Sequence, residues 1–265
     1  MIRIAEATEF RGLALTGRNA PLQIAAETDD GELVEVFLKP SGRPELGQEG
    51  LANELLAACV AGQIGLPVCE PILVKITTAW VDTIPDATVR AVLGESAEIG
   101  FGSLSAGEGW RIWSSGDQVL GNRRAPALGI FAFDAFTGND DRRAEKPNLL
   151  VRGDNLRIID HELCFRIAQK LFPPVAPWTV GNLNGLTDPI RHILGAALKG
   201  DRLIDMAPLK PRWQSLSDDC LAEFEALIPV QWQEAAVPIA QAINHLKKIR
   251  DRIDDCLAEI QRVLA

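Results

Sequence analysis

Two short apolar segments, residues 149–151 and 156–159, flank the tripeptide Gly153-Asp154-Asn155. Apolar runs of this length on either side of such a turn predict a β-hairpin. Asn148 begins the first strand and Asp160 ends its antiparallel partner. The two side chains are therefore expected at the same end of the hairpin, and the rest of the chain has to accommodate a polar centre there.

Other acceptor groups lie just upstream, within the stretch 138–160. Asn139, Asp140 and Asp141 precede a charged insert that ends at Asn148. One carboxylate and one amide, with a second carboxylate close by, suit Mg²⁺ bound together with substrate phosphates better than a softer metal. A polar loop followed by an ordinary surface hairpin would give the same pattern. The choice between a metal site and a surface hairpin therefore depends on other parts of the chain.

The first 38 residues predict a three-stranded meander. The strands cover residues 10–15, 22–28 and 33–38, with a Gly-containing break at 16–21 and the turn Asp29-Asp30-Gly31. A loop around Gly17 could place backbone N–H groups over phosphates, as amide nests do. A plain hairpin turn explains the same residues.

Lys39 closes the third strand, and a helix is predicted over residues 48–64. Glu54 lies at the edge of its apolar stripe, where a carboxylate needs a cation. An ion pair between Lys39 and Glu54 would satisfy both groups and direct the ammonium toward phosphates. Lys39 as a solvated edge residue is the alternative. Glu49, the competing partner, is better placed for the helix dipole. The apolar stripe consists of Leu51, Leu55, Ala58, Ala61 and Ile64.

Charge and cysteine content exclude several classes of protein. The formal net charge of −9 argues against non-specific binding to nucleic acid or to anionic membranes. Five scattered cysteines without a CxxC predict neither a disulfide framework nor a zinc site, and they suit a reducing cytoplasm. No apolar stretch reaches the 18 residues of a membrane span.

Two lobes are predicted, an N-lobe over residues 1–105 and a C-lobe over 106–265. Residues 99–104 resemble a strand running into a linker, which places the boundary there. Residues 126–137 form an apolar helix that should be buried and hold Asn139 to Asp141 in place. Helices are also expected over 189–198 and 217–227. A last amphipathic helix from Pro238 packs on the C-lobe or forms a coiled-coil seam with a partner.

These motifs together resemble the HipA-like kinase family. The resemblance rests on a strand lysine, a helix glutamate, a buried helix followed by NxDR, a spaced Asn and a strand-terminal IDHE. It is closest to the short members with a DRR...NPNLL-type loop, and covers residues 10–165 by motif. It implies an α+β, two-lobed protein-kinase-like fold, with a small N-lobe made of an antiparallel sheet plus one helix and a larger, mainly helical C-lobe. It also implies transfer of the ATP γ-phosphoryl group to serine or threonine of a protein that the sequence does not identify.

The resemblance implies a role for each matching residue. Asp141 is the catalytic aspartate that orients and deprotonates the acceptor hydroxyl. Asn148 and Asp160 hold Mg²⁺. Lys39 contacts the ATP phosphates and Glu54 fixes Lys39. The loop formed by Gly17, Arg18 and Asn19 covers the nucleotide.

Several positions depart from the general protein-kinase pattern. Asp141 and Asn148 are seven residues apart where that pattern has five, and Asn139 stands where it has histidine. His161-Glu162 replaces the usual Phe-Gly, and the phosphate loop lacks GxGxxG. Asp140 is a rival for the base. Two other functions therefore stay open: a pseudokinase or toxin-antitoxin-type binding module, and a kinase of a lipid or small molecule.

Overall fold

A computed structural model describes residues 2–14, 21–43, 45–166 and 175–265. Gly17, Arg18 and Asn19 lie outside the described residues. The fold is mixed α+β, as expected, with the strands mainly in the first part and the helices mainly in the second. The strands are β1 (Arg3–Leu13), β2 (Leu22–Thr28), β3 (Leu33–Lys39), β4 (Pro71–Lys75), β5 (Ile99–Leu104), β6 (Arg111–Ile112), β7 (Leu149–Arg152) and β8 (Asn155–Ile158).

The helices alternate with these strands at first and then dominate. They are α1 (Gly47–Gln63), α2 (Thr78–Thr83), α3 (Ala87–Gly94), α4 (Arg124–Thr137), α5 (Gly195–Leu198), α6 (Leu209–Gln214), α7 (Asp218–Ala226), α8 (Ala236–Asp251) and α9 (Ile253–Leu264), with short 3₁₀ turns at Gly121–Arg123 and Gln233–Ala235.

The first five strands form a closed barrel in the order β1-β2-β3-β5-β4. The expected meander is present as β1, β2 and β3, but it is only part of the sheet. The barrel closes because β1 pairs in parallel with β4, so the sheet is not purely antiparallel as predicted. The described residues before position 105 also form three helices, α1, α2 and α3, where one was predicted. Alternating side chains of the strands fill its interior, among them Ala5, Ile24, Val36, Leu38, Ile72 and Val74.

The strand predicted over residues 99–104 is confirmed as β5, which is an integral part of the barrel. It pairs on one side with β3 and on the other with β4. A Cβ atom added at Gly102 would lie 2.6 Å from Val36, 2.7 Å from Ile72 and 2.9 Å from Val74. Glycine therefore leaves the space that the neighbouring side chains occupy, and it does not signal a chain break at this position.

Helix α1 is buried almost all the way round. Its apolar side chains belong to a second, larger core that also contains residues from α4 to α9. Glu54 lies on this helix with a relative exposure of only 1%. The sequence places Glu54 at the edge of the apolar stripe, and the structure buries it between Lys39 at the end of β3 and His161 after the hairpin.

Helix α4 and the hairpin β7–β8 support the polar centre. The helix begins at Arg124, slightly before the predicted start, and ends at Gly138, whose φ of 70° favours glycine. The hairpin has β6 on one edge. Backbone N–H of Ile158 donates to the carbonyl of Pro67 at 2.8 Å, which attaches the hairpin to the segment after α1.

The last third differs from the sequence prediction in two places. Residues 189–194 form turns, so that only Gly195–Leu198 of the predicted helix 189–198 is helical. The single terminal helix is two helices, α8 and α9, separated at Arg252. Their apolar faces are buried in the core of this chain. No helix in the described ranges is long and apolar enough to cross a membrane.

Candidate active site

Lys39 is the centre of a buried ionic cluster drawn from three parts of the chain. Its Nζ forms an ion pair with Glu54 on α1, as the sequence predicts. The same atom lies 2.7 Å from Asp160 Oδ1 and 3.1 Å from Glu162 Oε2. The last barrel residue of β3, a core helix and the segment after the hairpin therefore meet at one ammonium group.

Burial and charge act on these groups in opposite directions. Burial alone would lower the pKa of Lys39, but the three carboxylates outweigh it and hold that pKa well above 10.5. Burial would raise the pKa of Glu54, and Lys39 reverses this so that the pKa is lowered. The pKa of Glu162 is raised, because burial dominates and its acidic neighbours reinforce it. Lys39 is thus charged at all ordinary pH values.

The open end of the hairpin brings Asn148 and Asp160 together as expected. Backbone N–H of Ile159 donates to the carbonyl of Asn148 at 3.2 Å. Both residues have left-handed backbones, with φ of 46° for Asn148 and 62° for Asp160. This region is uncommon for residues other than glycine, although Asn and Asp tolerate it best. Such conformations tend to occur at functional sites.

Asp141 lies beside this end of the hairpin, where it contacts three side chains. Its carboxylate accepts hydrogen bonds from Arg143 at 3.1 Å, from Lys146 at 2.6 Å and from the amide of Asn148 at 3.2 Å. Because the amide nitrogen of Asn148 is the donor here, its amide oxygen is the atom left to accept or to ligate. The two extra loop residues do not separate Asp141 from Asn148.

Lys146, which sequence reasoning did not select, bridges the two key carboxylates. Its Nζ is 2.6 Å from Asp141 Oδ2 and 2.9 Å from Asp160 Oδ2. The only signal in the sequence is its position two residues before Asn148, inside the charged insert. A single lysine in a charged loop has no pattern that distinguishes it from a solvated residue.

A second buried cluster holds the segment that contains Asn139 and Arg142. Arg142 and Asp134 form an ion pair in which both side chains have zero exposure. Asp134 also accepts from Asn139 at 2.8 Å, and it lies 2.9 Å from His192 Nε2. Backbone N–H of Leu194 donates to His192 Nδ1, so His192 Nε2 is the donor to Asp134. The carboxylate in the otherwise apolar helix 126–137 was the available signal for this cluster.

Arg142 connects this support to the hairpin, since its guanidinium also donates to the carbonyl of Asn148. Burial would raise the pKa of Asp134, but Arg142 and His192 reverse this and hold it well below its usual range. The charge of Asp134 is therefore permanent at ordinary pH. Both ends of the loop 142–148 are fixed by one guanidinium.

The available donors fit a hard divalent cation. Asp160, Asp141 and the amide oxygen of Asn148 are oxygen ligands of the kind that Mg²⁺ prefers. Among the described residues, Glu54, Asp160 and Glu162 also bring carboxylate oxygens within 4.8 Å of one another. Lys39 already neutralises that second group. A divalent cation would therefore fit better beside Asn148 and Asp160 than at this second group, and these two ligands stay a prediction.

Asp140, the rival for the base, has different surroundings. It is exposed, and it borders a cavity of about 250 Å³ that Gly138, Asn139 and Arg191 also line. The contacts to Lys146 and Asn148 are made by Asp141. The geometry thus favours Asp141 as the group that works together with Asp160.

Comparison with known proteins shows the kinase family to which the chain belongs. The model of a kinase family, described as HipA-like kinase, matches residues 26–171, which is more than half of the chain. The chain belongs to the HipA-like kinase family, and the resemblance stated from the motifs is confirmed.

Solved structures also resemble the chain. The crystal structure of a proinflammatory kinase from Helicobacter pylori, CtkA, is 12% identical, with 94% of this chain and 95% of that chain covered and a TM-score of 0.48. No curated protein matches the sequence.

Proposed function

We propose that the chain is an ATP- and Mg²⁺-dependent kinase that phosphorylates serine or threonine of a protein acceptor in the cytoplasm. The observation that carries the proposal is the contact of Lys39 with both Glu54 and Asp160. It links a strand lysine, a helix glutamate and a hairpin aspartate in the combination that protein kinases use. Membership of the HipA-like kinase family supports the same activity.

The proposal includes a two-lobed arrangement of the protein-kinase type. The barrel supplies Lys39, and the segment after residue 105 supplies Asp141, Asn148 and Asp160. ATP then binds between them, with Lys39 at the α and β phosphates and the loop containing Gly17, Arg18 and Asn19 over the nucleotide. The boundary between residues 105 and 106 and the role of this loop stay predictions.

Asn148 and Asp160 are the residues that would hold the metal. When bound, Mg²⁺ neutralises charge on the β and γ phosphates. Lys39 orients Asp160 by holding its Oδ1 atom, so the oxygen that would face the metal is Oδ2, which Lys146 contacts in this structure. Lys39 is in turn fixed by Glu54, so the lysine is positioned before the nucleotide arrives.

Asp141 acts on the acceptor hydroxyl. A bond forms between the acceptor oxygen and the γ-phosphorus, and the bond from that phosphorus to the β–γ bridging oxygen breaks. The bond pair stays on the ADP oxygen, and the acceptor proton passes to the Asp141 carboxylate. Positioned general bases contribute about 10²- to 10⁴-fold to such steps.

The test combines binding with transfer. The protein is melted with ATP alone, with Mg²⁺ alone and with both, and the series is repeated on Asp160→Asn. A ligand that binds only the folded state raises the melting temperature. We expect a rise with both ligands that Asp160→Asn loses.

Transfer of labelled phosphate to the chain itself and to a serine- and threonine-containing protein is then measured. Asp141→Asn should lower it by at least about 10²-fold, whereas the neighbouring Asp140→Asn is the matched control and should retain it. Equal transfer by wild type and Asp141→Asn would refute the assignment of the base. Phosphorylation of a lipid or small molecule in place of the protein would refute the acceptor class.

A second candidate is a binding module without catalysis. It is favoured by one observation: lysines contact both carboxylate oxygens of Asp160, which a metal would have to displace. This candidate predicts no shift in melting temperature with ATP and Mg²⁺ together. A shift that depends on both ligands would exclude it.

A further inference from the structure

Lys146 closes the gap between the proposed base and the proposed metal ligand. Its Nζ contacts one oxygen of Asp141 and one oxygen of Asp160 at the same time, at 2.6 and 2.9 Å. In the reaction proposed above, the γ-phosphoryl group passes between the acceptor hydroxyl, held by Asp141, and the metal held by Asp160. Lys146 therefore lies in the path of the transferred group.

The two lysines that contact Asp160 are held very differently. Lys39 has a side chain only 10% exposed and is tied to three carboxylates on separate elements. The side chain of Lys146 is 31% exposed and projects from the loop between Arg142 and Asn148. When a divalent cation takes a carboxylate oxygen of Asp160, Lys146 is the group that can move.

The backbone keeps Lys146 near the site while its side chain moves. Residues Arg143 and Lys146 exchange two backbone hydrogen bonds of 3.1 Å, and these close a tight turn. The clamp by Arg142 at Asn148 holds the end of the loop. A lysine ammonium has three donors on a flexible stem. One donor can stay on Asp141 while the others reach a new acceptor.

We propose that Lys146 is a catalytic residue, which neutralises Asp160 in the free protein and, once nucleotide and metal are bound, moves to the oxygens of the γ-phosphoryl group as that group is transferred. The inference rests on the proposed kinase function and adds a residue to its site. Bond making and breaking are those already given, and Lys146 gains or loses no proton. Its charge stabilises the negative charge of the phosphoryl group during transfer.

Two measurable consequences follow from replacing Lys146 by Met, which keeps the length of the side chain. The kcat for phosphate transfer should fall by about 10²- to 10³-fold, the usual effect of removing one such donor. The KM for ATP should change less than about threefold, because the contact forms with the transferred group and not with the bound nucleotide as a whole.

The second consequence concerns the free protein and needs no catalysis. Lys146 and a divalent cation compete for Asp160, and replacing Lys146 removes this competition. Binding of Mn²⁺ alone, followed by electron paramagnetic resonance, should therefore tighten by about fivefold, the scale of a partly exposed ion pair. Lys146→Arg, which keeps the charge, should bind Mn²⁺ like wild type.

Lys210→Met is the matched control, since it removes a lysine from an exposed pair with Asp254 at 2.8 Å. It should match wild type in both assays. Melting temperatures of all variants show whether each remains folded. A Lys146→Met variant with kcat within threefold of wild type, or with unchanged Mn²⁺ binding, would overturn the inference and leave the kinase function standing. Wild-type protein that transfers no phosphate would overturn both.

Discussion

Lys39 and Asp160 are 121 positions apart in the chain, and their side chains meet at 2.7 Å. Glu54 and Glu162 contact the same ammonium, so one cation faces three carboxylates. Lys146 adds a second cation on the far side of Asp160. The site is therefore a buried ionic network whose charge balance depends on both lysines.

Lys39→Met should destabilise the protein strongly, because three carboxylates would remain together without their cation. Removing one partner from a buried ionic group costs about 3–5 kcal/mol. Adding Glu54→Gln should relieve part of this loss, so that the double variant is less destabilised than the sum of the single variants by about 1–3 kcal/mol. Urea unfolding followed by tryptophan fluorescence measures these differences.

Lys75→Met is the control for this series, because Lys75 has only an exposed contact with Asp29 at 3.8 Å. It should remain within about 0.5 kcal/mol of wild type. Strictly additive effects of Lys39→Met and Glu54→Gln would contradict the description of a shared buried network.

Arg142 and Arg143 are adjacent in sequence, but their replacement should destabilise the protein to very different degrees. Arg142→Met leaves Asp134 charged and unpaired in the core, and it should cost about 3–5 kcal/mol of folding free energy. Arg143 is exposed and contacts Asp141 from solvent, so Arg143→Met should cost less than about 1 kcal/mol. Calorimetric melting compares the two. Equal losses would show that the Asp134 cluster does not hold the loop.

His245 should make stability depend on pH. Its Nε2 donates to the carbonyl of Phe136 at 2.8 Å. Burial lowers its pKa below 6.5, Lys248 adds to this, and the Phe136 contact opposes it. Below about pH 6.5 the unfolded chain binds the proton more readily than the folded chain, so stability falls as the pH drops through this value toward the folded pKa.

The measurement is the melting temperature between about pH 5 and pH 7.5, on either side of the free histidine value. His245→Gln keeps a side-chain donor for Phe136 but cannot titrate, so its curve should be flatter than that of wild type. Parallel curves for the two proteins would rule out His245 as a contributor.

Gly102→Ala should destabilise the barrel by about 1–3 kcal/mol, the cost of overpacking. The new Cβ would lie within 2.6–2.9 Å of three barrel side chains, none of which can retreat from the closed interior. Gly62→Ala is the matched control, because its Cβ would contact nothing within 4 Å in helix α1. It should raise stability by about 0.5–1 kcal/mol. Urea midpoints that shift in the same direction would contradict this reading of β5.

The parts of the fold that were predictable depend on local patterns. Period-two alternation and the Gly153-Asp154-Asn155 turn place Asn148 and Asp160 at one end of a hairpin. Helical spacing brings Glu54 to the side of α1 that faces Lys39. In both cases a few neighbouring residues determine the direction of the side chain, so no long-range information is required.

The parts that were not predictable depend on distant contacts. The parallel pairing of β1 with β4 closes the barrel, but no pattern in the sequence of either strand indicates this pairing. The reason for the glycines in β5 becomes apparent only when the side chains opposite them are known. Lys146 and His192 are isolated polar residues whose partners are set by tertiary structure alone.

The Arg142 guanidinium holds the carbonyl of Asn148. The position of the two carboxylates therefore does not depend on the length of the loop. Both ends of the loop are held from the core, so residues 143–147 can vary in number without moving Asp141 relative to Asp160. The spacing of seven residues is then compatible with a spacing of five in another protein. Lys146, the cation between Asp141 and Asp160, can thus be replaced in evolution or by design without changing the contacts that hold the two carboxylates.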